Sequence, residues 1–292
     1  MAIVAVGLQL ALQAPINSAL GRHVGRLAAA LVSFGVGTVV LLLLVIATGA
    51  IADLGTLGEV PFYQLLGGLI GAGYVATTTL TVARIGAGAV VAATITGQLM
   101  SSLLIDDMGL VGIDAVPLSF LRLCGALLLV AGTLLVVRRK ASDAGLERSD
   151  LLALFAVFVV GLMVGIQHPL NGLLAETSGD LLAALTNFVV GSALLLVIVV
   201  VTGRAPKLAG VRQAPPWKLI GGLIGVITVV AALSAVSVIG AAGLTAALIT
   251  GQLIGSIALD RAGAFGLTVR LITPARAAGA ALLLTGTLLS IS

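Results

Sequence analysis

Two short polar clusters interrupt an otherwise apolar chain, Gln13-Ala14-Pro15-Ile16-Asn17 and Gln167-His168-Pro169-Leu170-Asn171. The amides of each cluster stand at i and i+4, so they share one face of a helix. The proline between them has no N–H, which leaves a carbonyl near Ala11, and another near Gly165, without its helical donor. Amides and free carbonyls donate and accept hydrogen bonds; they supply neither a nucleophile nor a mobile proton. The chemistry on offer is recognition of a polar solute, or hydrogen bonding between helices worth about 0.6–2 kcal/mol per bond. A helix kink at Pro15 and at Pro169 favours recognition, because interhelical bonding needs no kink. Gln13, Asn17, Gln167 and Asn171 are therefore expected to line a cavity.

A second polar stripe pairs Gln98 with Ser102 and Gln252 with Ser256, again four residues apart. Gln98 and Gln252 are expected to complete the wall of the same cavity, on helices whose Gly97, Ser101, Gly251 and Gly255 permit close backbone approach. Gly67, Gly71, Gly221 and Gly225 form Gly-xxx-Gly faces that read as tight helix packing. Tyr74 and Thr77, Thr78, Thr79 and Thr81 have no equivalents in the second half of the chain. They either make the cavity asymmetric or bond to their own helix. His168 is the titratable residue placed well inside an apolar stretch, and could act as a proton relay or as a packing histidine. Asp106 with Arg122, and Asp260 with Arg276, flank two equivalent loops; each pair reads as a salt bridge closing a hairpin or as a gate.

Other chemistries lack their parts. There is no HExxH, no phosphate-binding loop and no Ser/His/Asp set at a common depth, so neither an enzyme nor an ATP-driven pump is expected. The single cysteine, Cys124, forms no intrachain disulfide and no thiolate cluster. No metal and no cofactor is expected.

These residues must be positioned by elements that live in a bilayer. Hydrophobic residues make up 60% of the 292 and charged residues only 9%, with a mean hydropathy of +1.25. So few charges cannot coat a water-soluble fold, and so much apolar material excludes disorder. A spanning helix needs about 20 apolar residues. Ten stretches qualify: Ile3–Leu20, Leu27–Thr48, Phe62–Ala83, Gly86–Ile105, Leu118–Val137, Leu151–Leu174, Leu181–Thr202, Trp217–Val238, Gly240–Leu259 and Ile272–Ile291. Placing both termini outside puts all but Arg122 of the 15 Lys and Arg residues on the cytoplasmic side. Acids such as Asp53, Glu59, Asp106, Asp107, Asp114, Glu176 and Asp180 then lie outside. The pI near 9.8 records this topology, and no nucleic-acid partner is expected.

Shifted by 154 residues, the sequence matches itself without a gap: Gln13 falls on Gln167, Gly67 on Gly221, Gln98 on Gln252, Asp106 on Asp260 and Arg122 on Arg276. Apolar bias does not repeat Gln, Asn, Pro, Asp and Arg, so the chain is a duplication. The expected organisation is a first repeat over 1–138, a charged linker over 139–150 and a second repeat over 151–292. Five spans per repeat is an odd number, so the second repeat should enter the membrane from the opposite side. The fold class is all-α integral membrane, ten transmembrane helices as two inverted five-helix repeats.

The chain resembles the drug/metabolite transporter superfamily, and within it the YdcZ-like family in fused tandem form. The resemblance rests on Gln13-Ala-Pro-Ile-Asn17-Ser18, Ser33-Phe34-Gly-Val-Gly37 and Ile95-Thr-Gly-Gln98, with echoes at Gln167–Asn171, Asn187-Phe188…Gly191 and Ile249–Gln252. It implies a multi-pass carrier of small molecules in the inner (plasma) membrane, with a cavity between the halves. The first-helix glutamate of small multidrug transporters is missing, so their proton exchange does not carry over. The expected function is a secondary transporter, read as an exporter of a small polar or metabolite-like solute by alternating access. Alternatives are a non-transporting membrane scaffold or assembly protein, and a passive channel. Expected partners are the solute and the lipid bilayer, with the chain either a homodimer or a monomer containing an internal pseudo-dimer.

Overall fold

A computed structural model describes residues 2–110, 119–137 and 147–290, with side chains described outside 137, 206, 233–246 and 290. The described residues are mostly helical, without a strand. The α-helices are α1 (Ala2–Val24), α2 (Arg26–Ala47), α3 (Leu66–Ile85), α4 (Ala87–Met108), α5 (Phe120–Val137), α6 (Arg148–Ser178), α7 (Asp180–Val201), α8 (Gly221–Ala262) and α9 (Pro274–Ser290). Six apolar helical segments are long enough to cross a membrane by length and composition. An all-α membrane protein fits these elements, because in lipid a helix satisfies its own backbone.

Single glycines make the corners between paired helices. Gly25, Gly86 and Gly179 link α1 to α2, α3 to α4 and α6 to α7, at φ of 82°, 88° and 78°. A residue with a Cβ rarely adopts that region, and one residue suffices for the turn. Short 3-10 segments, Ala50–Glu59 with Phe62–Leu65 and Ala205–Gln213 with Pro216–Leu219, carry the chain from α2 to α3 and from α7 to α8.

Two expectations about element boundaries change. The linker expected over 139–150 lies outside the described residues up to 146, and its end is the first turn of α6, where Asp150 is buried. The eighth and ninth expected stretches form one helical run, the 42-residue α8. In the first half the matching break at Gly86 is capped from outside: Asp260 accepts hydrogen bonds from the N–H groups of Ala87 and Gly88 at 2.8 and 3.1 Å. The equivalent carboxylate, Asp106, accepts from Arg122.

α8 is nonetheless two arms. Gly221 lies against Asn17 of α1, and Gly251 lies against Gly7 and Leu8. Those α1 sites are ten residues apart, or about 15 Å, whereas thirty residues of unbent helix would span about 45 Å. The run therefore turns back between its Gly221–Gly225 arm and its Leu248–Gly255 arm. The arms flank α1 as α3 and α4 flank α6, where Gly67 meets Asn171 and Gly97 meets Phe158 and Gly161.

The remaining contacts join equivalent helices. α2 packs on α7 and α5 on α9. Phe34 and Phe188 stack at 5.0 Å, each ring filling the place of a Cβ on the other helix's glycine, Gly191 and Gly37. Leu129 and Leu283 are fully buried between α5 and α9, where Gly132 faces Gly279 and Gly125 faces Gly286. Burial of this kind stabilises by about 1.5–3 kcal/mol per large side chain in water; in lipid, close packing takes over that role.

Candidate functional site

The amide faces of α1 and α6 meet the glycine arms of the other half. Gln13 donates from Nε2 to the carbonyl of Gly221 at 3.1 Å, and Gln167 donates to the carbonyl of Gly67 at 2.8 Å. Both bonds cross the seam between halves. Gly225 and Gly71 make room for them, since a Cβ there would stand 2.9 Å from the respective glutamine Nε2. The Gly-xxx-Gly faces are thus beds for these amides as well as packing surfaces.

Asn17 and Asn171 lie deeper along the same faces and differ. Asn171 Oδ1 accepts from Asn187 Nδ2 at 2.9 Å. Asn17 is completely buried, and neither Oδ1 nor Nδ2 has a partner. The position equivalent to Asn187 is Ser33, whose shorter side chain presents no amide to Asn17. Asn187 Oδ1 is also buried and unpartnered. Each such group costs about 1–3 kcal/mol relative to a satisfied one, so the seam holds unmet hydrogen-bonding capacity at two places. The role of Asn187 and Ser33 is missed by a reading confined to the first helix, although the Asn187–Gly191 match holds the clue.

Pro15 and Pro169 sit inside continuous helices. Pro15 borders a cavity of about 10 Å³, room for one water, together with Ala11, Ala14, Tyr74, Val90 and Gln252. Ala11 and Gln252 thus border one space. In the other half Gln98 Nε2 lies 2.8 Å from His168 Nε2. His168 stands at the position that Ala14 holds in the first half. It lies on an exposed face of α6. Thr78 and Thr81 bond to the carbonyls of Tyr74 and Thr77 on their own helix, while Thr79 is buried without a partner.

The two acid–arginine pairs form ion pairs of unequal quality. Arg276 Nη2 meets Asp260 Oδ2 at 2.6 Å, with both side chains buried, and the same carboxylate holds the start of α4. Arg122 Nη1 meets Asp106 Oδ2 at 3.2 Å, and that carboxylate is 28% exposed. A further cluster emerges only in three dimensions: Arg84 pairs with Asp150 at 2.8 Å and Glu147 at 2.9 Å, and Arg270 donates to the Arg84 carbonyl. Among the described residues no three His, Cys, Asp or Glu side chains stand together as metal ligands.

No curated protein matches the chain. A crystal structure described as "Crystal structure of protein" matches with a TM-score of 0.53 at 17% identity, covering 99% of this chain and 96% of the other. That likeness concerns the fold alone. Residues 1–135 and 152–289 each match the family described as "Putative inner membrane exporter, YdcZ". The matches fall on the two copies of the internal repeat and cover most of the sequence, and the chain therefore belongs to the YdcZ family of multi-pass inner-membrane proteins, in tandem form.

Proposed function

We propose that this chain is a secondary transporter that exports a small polar, uncharged or zwitterionic solute by alternating access. In this reading the repeats 1–138 and 151–292 lie inverted across the membrane plane, both termini are outside, and the two arms of α8 serve as the eighth and ninth of ten spans. Gln13 and Gln167 hold the seam shut through the carbonyls of Gly221 and Gly67. Asn17, Asn171, Gln98 and Gln252 offer hydrogen bonds to the solute when the seam parts. The two ion pairs serve as gates at opposite ends. The glutamine bonds of the seam recur with the halves exchanged, which gives each half an equivalent surface to rock against the other.

The observation that carries this reading is Asn17, wholly buried at the seam with both polar atoms unpaired. A side chain selected for stability alone would not be kept so. Direct measurement of solute flux in proteoliposomes, with a solute panel chosen by thermal stabilisation, tests it. Asn17→Ala should cut flux about tenfold, the worth of one good hydrogen bond, without lowering the unfolding temperature. Unchanged flux in the double variant Asn17→Ala, Asn171→Ala removes the reading.

The tightness of the seam favours a second reading, a non-transporting scaffold, since the cavity beside Pro15 has a volume of about 10 Å³. A scaffold shows no solute-dependent stabilisation and no flux, so the same panel separates the two.

A further inference from the structure

At the end of the molecule where α1 meets the segment Pro216–Leu219, three basic side chains gather around an aromatic pair. Lys218 is 8% exposed, and its Nζ lies 2.7 Å from Nε2 of His23. An ammonium can only donate, so the imidazole accepts at Nε2 and carries its own proton at Nδ1. The ammonium also lies 5.4 Å from the ring centre of Trp217. Trp217 stacks on Phe265 at 5.6 Å, and the Phe265 carbonyl accepts from Arg22 Nη1 at 3.0 Å. Phe265 is in the left-handed region, φ 58°, unusual for a residue with a bulky side chain. The loop is thus held in a costly conformation that keeps its carbonyl on Arg22.

Among the described residues no carboxylate lies within ion-pair distance of Arg22, His23 or Lys218. A buried lysine ammonium whose closest polar partner is a histidine ring lacks the counter-charge that burial calls for. Nor does the packing require a cation. The equivalent positions in the other half hold Gln64, Thr177 and Glu176, and Gln64 is as buried as Lys218.

We propose that Lys218, His23 and Arg22 form a binding site for a phosphate-bearing anion. Three donors of different reach suit the several oxygens of a phosphate better than the two of a carboxylate. The half-exposed Trp217 beside them is the residue type that sits at the level of lipid headgroups. The phosphate could belong to an anionic phospholipid or to a soluble anion. The site rests on charge and burial at one end of the molecule and does not depend on the chain being a carrier.

The test measures thermal unfolding of the purified full chain, titrated with phosphatidylglycerol, with phosphatidylethanolamine, and with inorganic phosphate. Stabilisation by phosphatidylglycerol alone identifies a lipid site; stabilisation by inorganic phosphate as well identifies a soluble anion. In either case Lys218→Gln should weaken the apparent affinity about tenfold, the worth of a charge-assisted hydrogen bond, while Arg148→Gln, an exposed basic residue at the start of α6, should leave it unchanged. Lys218→Gln installs the side chain that the other half already tolerates at this depth. Should that variant still fail to fold, His23→Ala, altering an exposed ring, is expected to weaken binding as well. No stabilisation by either phosphate source, or equal affinity in the wild type and both site variants, overturns the proposal.

Discussion

Each glycine on the Gly221 arm has a distinct neighbour, and that decides what a methyl group would do there. A Cβ on Gly221 would stand 2.1 Å from Asn17 Oδ1, a side-chain atom with nowhere to withdraw because Asn17 is wholly buried. A Cβ on Gly222 would stand 2.1 Å from the backbone carbonyl oxygen of Ser33. Overpacking typically costs about 1–3 kcal/mol, so both Gly221→Ala and Gly222→Ala should lower the unfolding temperature. Only the first should be rescued by Asn17→Ala, which removes the clashing atoms and a buried unpaired amide together. Thermal unfolding of the single and double variants checks this, and equal rescue of both would mean that Asn17 does not fill the space beside Gly221. The glycine spacing and the amide spacing are both visible in the sequence. That they belong to one contact is not, because periodicity gives the face of a helix and not its neighbour.

At the scale of elements, the two halves part company where one carboxylate is used differently. Asp260 ties the end of α8 to the start of α4 and to Arg276; Asp106, its equivalent, pairs with Arg122. Breaking a buried pair by removing one charge costs about 3–5 kcal/mol, whereas a half-solvated pair is worth about 1 kcal/mol or less. Asp260→Asn should therefore destabilise the protein strongly and Asp106→Asn slightly, as read from unfolding in detergent. Equal losses would show that capping α4 adds nothing to the ion pair. The repeated Asp and Arg foretell both pairs, and the caps of α5 and α9, where Ser119 and Thr273 accept from the N–H groups of Arg122 and Arg276, follow the same repeat. The difference in burial between the two pairs is not legible, since it depends on what packs over each carboxylate. The sequence, with Gly86 and Gly240 at equivalent places, suggests two identical breaks, whereas α8 is one helical run from Gly221 to Ala262. The glycines of α5 and α9, seven residues apart in each helix, were equally readable, but they gain meaning only once Gly132 faces Gly279 and Gly125 faces Gly286.

For the molecule as a whole, the contacts pair each half with the other by exchange, and the remaining issue is how the pair stands in the membrane. Asp53 and Lys207 are equivalent residues, 154 apart, and both are exposed in the segments that follow α2 and α7. In parallel halves they would face the same compartment. In inverted halves they face opposite ones, and the sign of the charges says which: lysine and arginine stay on the cytoplasmic side, so Lys207 should be inside and Asp53 outside. In a Cys124→Ser background, a membrane-impermeant thiol reagent applied to intact cells should label Asp53→Cys and spare Lys207→Cys until the membrane is opened. The reverse pattern would turn the molecule over and leave the inversion standing. Labelling of both from one side would end the inverted arrangement, and with it the alternating access that the reciprocal seam supports.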